Sequence, residues 1–87
     1  MKIFYIEPID GKKSFYKKCS VTEYENGEKV LMSYTTPVIK ITTEGEPVRL
    51  WDGWSATTQR HINAFLYFYG LYQYIGKAGT CSLRLEV

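Results

Sequence analysis

Few side chains in this sequence have the type and spacing for covalent chemistry. There is one histidine, His61, and there are two cysteines, Cys19 and Cys81. Cys19 with His61 is a formal thiol–imidazole pair of the kind that drives nucleophilic catalysis. Cys19 sits in an alternating apolar stretch, however, where a thiol serves as a small buried hydrophobe. Ser55 has no G-x-S-x-G around it, and a helix-capping role accounts for it better than a nucleophilic one. One histidine and two isolated cysteines do not make a zinc quartet. The carboxylates are scattered, with no D-x-D-x-D-G loop and no H-E-x-x-H. The expectation is no enzyme activity, no metal and no cofactor, with a small hydrolase or nuclease as a remote third reading.

Anion binding has a clearer physical basis. A helix start presents backbone N–H groups and a partial positive charge. In R-L-W-D-G-W-S-A-T-T-Q-R-H, residues 49–61, Gly53 would allow close approach. Ser55, Thr57 and Thr58 would supply hydroxyls, and Arg60 a charge one turn in. Arg49, Lys40 and the Lys12-Lys13 and Lys17-Lys18 pairs would extend a basic face, with Trp51 and Trp54 as stacking platforms. Against strong nucleic-acid binding, Glu23, Glu25, Glu28, Glu44, Glu46 and Asp52 interleave with the lysines.

Protein binding is the other mechanism the composition serves. Eight Tyr, four Phe and two Trp in 87 residues exceed ordinary aromatic use. Aromatic residues supply a thin core and also enrich contact surfaces, where Tyr, Trp and Arg carry most of the binding energy. An edge strand near Pro37 could accept a partner strand. For either mechanism the candidate contact residues are Arg49, Trp51, Trp54, Thr57, Arg60, His61, Asn63 and Tyr67.

The element that must position these residues is a helix over about 56–69. Ile62, Phe65, Leu66 and Tyr69 recur at i, i+3, i+4 and i+7, and Thr58 extends the line backward. His61, Phe68 and Tyr72 flank the stripe, while Arg60, Asn63, Ala64 and Tyr67 fall on the opposite face. Ser55 is the predicted N-cap, Trp54 a hydrophobic staple and Gly70 the C-terminal stop. The second half of the helix is apolar nearly all round, so something beyond a sheet should cover it, with Leu71–Ile75 the nearest segment.

Before the helix the chain reads as strands. Met1–Ile6 places Phe4 and Ile6 on one side and Ile3 and Tyr5 on the other. Lys12–Tyr24 alternates, with Phe15, Cys19 and Val21 on one side. Asn26-Gly27 marks a hairpin. Lys29–Thr43 is β-prone throughout, but Pro37 demands a bulge, an edge or a split into Val30–Tyr34 and Val38–Thr42. Thr43–Glu46 is a second turn, and Pro47–Trp51 the strand after it. Past Gly70 a short helical turn precedes Gly76 and Gly79. Thr80–Val87 then alternates, with Cys81, Leu83, Leu85 and Val87 facing in. The predicted fold is α+β: one domain, 1–87, with an antiparallel sheet of about four to five strands, one main helix on one face, and a C-terminal strand returning to the sheet.

A chain of this length buries roughly 60–65% of its unfolded surface, enough for one modest core. The net charge of +2 favours no class of partner. Glu7, Pro8 and Asp10 end the first apolar run too early for a signal peptide, and no apolar segment approaches a membrane span. The default expectation is the cytoplasm, with Cys19 and Cys81 as reduced thiols.

Three stretches, K-S-F-Y (13–16), S-Y-T-T-P-V (33–38) and R-L-W-D-G-W-S-A-T-T-Q-R-H-I-N-A-F-L (49–66), resemble a group of short uncharacterised proteins of bacteria, phages and mobile elements. These share a W-x-G-[YW]-S-A-T-T-x-R-H-I-N-x-F-L core. The resemblance spans roughly 12–70. At the [YW] position tyrosine is the expected residue and Trp54 departs from it, and Thr35 stands where the expected S-Y-N-T-P-V has asparagine. What the resemblance implies is a setting and no activity. The expected function is that of a small non-enzymatic accessory protein of a phage or mobile element, acting in the host cytoplasm by protein–protein interaction. An inhibitor of a host defence nucleoprotein such as a CRISPR effector fits that setting. The alternative is a weak nucleic-acid-binding module built on the helix start. A host or phage protein is the expected partner, self-association is compatible with the apolar helix end, and no membrane is involved.

Overall fold

A computed structural model describes residues 1–9, 18–51, 53, 55–75 and the backbone of 84–85. Its sheet is an antiparallel meander, with β1 (Lys2–Tyr5), β2 (Cys19–Glu23), β3 (Lys29–Ser33), β4 (Thr36–Ile41) and β5 (Pro47–Arg49) adjacent in chain order. The helix α1 (Ala56–Phe68) follows, then a 3-10 turn, Tyr72–Tyr74, and β6 (Arg84–Leu85), which pairs parallel with β5. The α+β class, the meander, the helix on one face and the returning strand agree with the sequence reading. Phe15, the inward set Cys81, Leu83, Leu85 and Val87, Gly76 and Gly79, and the staple residue Trp54 lie outside the described side chains.

Two hairpins share one construction. Gly27 N–H bonds Tyr24 C=O while Tyr24 N–H bonds Glu28 C=O, and Gly45 with Thr42 and Glu46 repeats this. Both glycines have positive φ, +97° and +86°. These are three-residue loops closing on a left-handed glycine, so Asn26-Gly27 does not form the two-residue turn with which that pair is most often associated.

The long β-prone run resolves the Pro37 problem in two ways. It splits at Tyr34-Thr35, where Tyr34 takes a φ of 59°, and β3 and β4 form a tight hairpin. The register then slips, with Leu31 opposite Ile39 but Met32 opposite Pro37, so Val38 is an extra residue. The bulge buries two consecutive side chains, Val38 and Ile39, and places the proline where the ladder is already interrupted. β4 lies between β3 and β5, which corrects the expectation of an edge near Pro37; the antiparallel edge is β1.

The helix packs across β3 and β4. Ile62, Phe65 and Leu66 meet Val21, Leu31, Ile39 and Ile41 in one core. Both helix ends are closed at residues the sequence marks. Ser55 Oγ accepts from Thr58 N–H at 3.0 Å and donates to the Thr58 hydroxyl at 2.9 Å. At the other end Gly70 takes φ +74°. Its N–H bonds Tyr67 C=O, and Leu71 N–H bonds Leu66 C=O, which is a Schellman stop. This reversal sends the chain back over the helix, so Leu71, Tyr74 and Ile75 pack against the core as expected. Tyr69 fastens the same end to the sheet, its hydroxyl donating to Glu23 at 2.6 Å. Burial, and then the Glu23 hydrogen bond and charge, hold the Tyr69 phenol above its ordinary pKa.

One face assignment needs correcting. Ala64, read as outward, is 3% exposed. The helix is buried over more than half its circumference, because residues near the end of β1 cover the side that carries Ala64.

Candidate functional site

The sequence candidates do not converge on one site. Arg49 points its guanidinium at the loop before the helix, donating to Trp51 C=O at 3.0 Å and Gly53 C=O at 2.9 Å. Trp51 packs against the core and over Gly53: a Cβ at Gly53 would lie 2.4 Å from the indole. The missing side chain at Gly53 therefore makes room for Trp51, which corrects the reading of Gly53 as space for an anion. Thr58 is buried, and its N–H is taken by Ser55. Lys40 lies 3.7 Å from the Glu28 carboxylate. Thr57 is exposed on the first turn, Arg60 half-buried, and Asn63 accepts from Gln59 Nε2 at 3.0 Å. Trp54 lies outside the described residues.

His61 is 0% exposed and shares a 2.7 Å hydrogen bond with Ser33 Oγ through Nδ1. The sequence reading placed it on the flank of the buried stripe; the β3–β4 hairpin closes over it, with the Tyr34 ring 5.9 Å away. Burial, reinforced by the charges of Arg60 and Lys18, lowers its pKa to about 4. The imidazole is neutral at pH 7. Burial likewise pushes the Cys19 thiol up to about 12, so it carries almost no nucleophilic thiolate. Among the described residues no three His, Cys, Asp or Glu side chains gather in a metal-binding group.

Beside His61 lies a cleft of about 140 Å³ lined by Ser33, Tyr34, Thr36, Val38, Trp51 and Thr58. Residues of S-Y-T-T-P-V and of the stretch at 49–66 meet here. The contacts they make are internal: cap, turn, indole seat and the Ser33–His61 bond. This is a joint between the hairpin and the helix start.

A second hollow is open and aromatic. Tyr5, Ile6, Glu7, Pro8 and Ile9 form one wall, and Ala64, Tyr67, Phe68 and Tyr72 the other, around about 570 Å³. The Tyr67 and Tyr72 rings stand 5.3 Å apart, and Phe68 rests on Phe4 at 5.5 Å. Tyr5, Ile9, Tyr67, Phe68 and Tyr72 are all exposed. Among the described residues Tyr67 is thus the single member of the predicted set that lies in this groove. The missed residues were visible in part: the run of aromatics from Tyr67 to Tyr74 exceeds what one buried helix stripe can absorb. Nothing in the sequence paired that run with Tyr5–Ile9.

No helix among the described residues is long and apolar enough to cross a membrane. Comparison with curated proteins and with solved structures gives no match. A family model described as a family of unknown function, DUF8033, matches residues 4–79. That match takes in the meander from Phe4 onward, the helix and both walls of the groove, and the chain belongs to this family.

Proposed function

We infer that this protein is a non-enzymatic binding module whose contact surface is the groove between Tyr5–Ile9 and the Ala64–Tyr72 segment. The observation that carries this reading is the cluster of exposed aromatic rings around one open hollow. Large exposed apolar patches mark interaction sites, and aromatic side chains are the usual anchors of protein interfaces. Among the described residues Glu7 is the one charged side chain in the lining, and it is already engaged within the chain. Aromatic faces favour a partner segment that brings a lysine or arginine, whose stem and charge pack on the rings.

The helix-start reading as a nucleic-acid module draws less support. Arg49 is engaged with its own loop, Gly53 is filled by Trp51, and Ser55 is a cap. The setting, an accessory protein of a phage or mobile element directed at a host defence nucleoprotein such as a CRISPR effector, rests on the sequence resemblance and on no residue of the groove.

The test compares capture of partner proteins from host lysate by three forms of the full chain. A partner held by the wild type should be lost with Tyr67→Ala/Tyr72→Ala and kept with Thr57→Ala/Arg60→Ala. Loss with the Thr57/Arg60 pair instead, together with oligonucleotide binding that falls steeply with salt, would move the site to the helix start.

A further inference from the structure

We propose that the outer edge of β1 is a self-pairing surface, which joins two copies of this chain into one continuous sheet about a two-fold axis at Phe4. Ile6 N–H bonds Cys19 C=O, and β1 runs antiparallel to β2 with Phe4 opposite Val21. Main-chain groups alternate direction along an antiparallel strand. Lys2, Phe4 and Ile6 therefore turn theirs toward β2, and Ile3 and Tyr5 turn theirs outward. β1 ends the sheet among the described residues, so these outward groups form its edge.

The side chains fit a second copy. With the axis at Phe4, Ile3 stands opposite Tyr5 of the other copy, and each such pair exchanges two main-chain bonds. Ile3 and Tyr5 are 62% and 57% exposed, and their pairing would cover part of both. On the helix face Phe4 meets its own counterpart, with the 56%-exposed Phe68 above it. An isologous contact requires this self-complementarity. The strand lacks the usual guards of an exposed edge at its outward positions, having neither proline nor charge there. Its one lysine, Lys2, is offset from its counterpart by about 14 Å of backbone along the strands, and its Nζ lies over the Phe4 ring at 5.5 Å.

Sedimentation equilibrium of the full chain over a concentration series tests this, together with amide exchange. The wild type should approach twice its 10.1 kDa mass. The Ile3 and Tyr5 amides should gain protection as concentration rises, while that of Phe4 stays constant. Tyr5→Pro removes an outward N–H together with the ring that would pair with Ile3, and Ile3→Lys sets two charges near the axis. Each should raise the dissociation constant by roughly tenfold or more, a difference of about 1.4 kcal/mol, with unchanged helical circular dichroism. If Tyr5→Pro unfolds the chain, Ile3→Lys and the exchange data decide. A monomer at every concentration overturns the proposal. So does a dimer that survives both substitutions, since it would be using another surface.

Discussion

Ser33 Oγ and His61 Nδ1, 28 positions apart, share a fully buried 2.7 Å hydrogen bond that pins the helix to the β3–β4 hairpin. The bond sits where a catalytic reading would have placed an active histidine, and burial gives it a structural consequence instead. In the folded chain the His61 pKa is near 4, against an ordinary value of 6.5. The unfolded chain therefore takes up a proton that the folded chain refuses. The stability His61 contributes is complete above pH 6.5 and is lost as pH falls toward 4. At pH 5 the wild type should be about 2 kcal/mol less stable than at pH 7.5, measured by urea unfolding. His61→Asn should be weaker at pH 7.5 and flatter across this range. Equal wild-type stability at the two values would refute the account of His61.

The Gly53–Trp51 contact gives a sharper test of the helix start. Gly53→Ala forces the indole off its seat, because a Cβ 2.4 Å from the ring cannot be accommodated without movement. We expect a loss of about 1–3 kcal/mol, the usual range for overpacking, and a shift in tryptophan emission in a Trp54→Phe background. A stable variant with unchanged emission would reopen Gly53 as ligand space.

Gly70 tests the helix stop. Its Cβ position is open, so the cost of Gly70→Ala comes from the positive φ alone. A loss of about 1 kcal/mol is expected for a side chain forced into the left-handed region. A neutral result would mean that the chain can leave the helix another way, and the Leu71–Ile75 cover would then need another explanation.

Those parts of the fold governed by local chemistry were legible in the sequence. Ser55 and Gly70 bracket the helix because capping is set by a few adjacent atoms, and the two glycine-closed hairpins follow for the same reason. The Pro37 conflict was also visible, though its resolution was not. Whether a proline is tolerated at an edge, a split or a bulge depends on which strands flank it, and that is a tertiary fact. Ala64 was misassigned for a similar reason: a helical wheel assumes one covering layer, whereas the segment after β1 supplies a second. The groove was hidden because it joins Tyr5–Ile9 to Tyr67–Tyr72, more than 50 positions away. Gly53 shows the opposite error, where a residue fitting a ligand-binding pattern serves an internal contact.

The most direct measurement is partner retention by the groove variant at matched stability. Tyr67 and Tyr72 are exposed, so Tyr67→Ala/Tyr72→Ala should change unfolding free energy little, within about 1 kcal/mol. With folding confirmed, a protein held by the wild type should be released by this variant and retained by Thr57→Ala/Arg60→Ala. Undiminished retention by the groove variant would contradict the central claim that the groove is the contact surface.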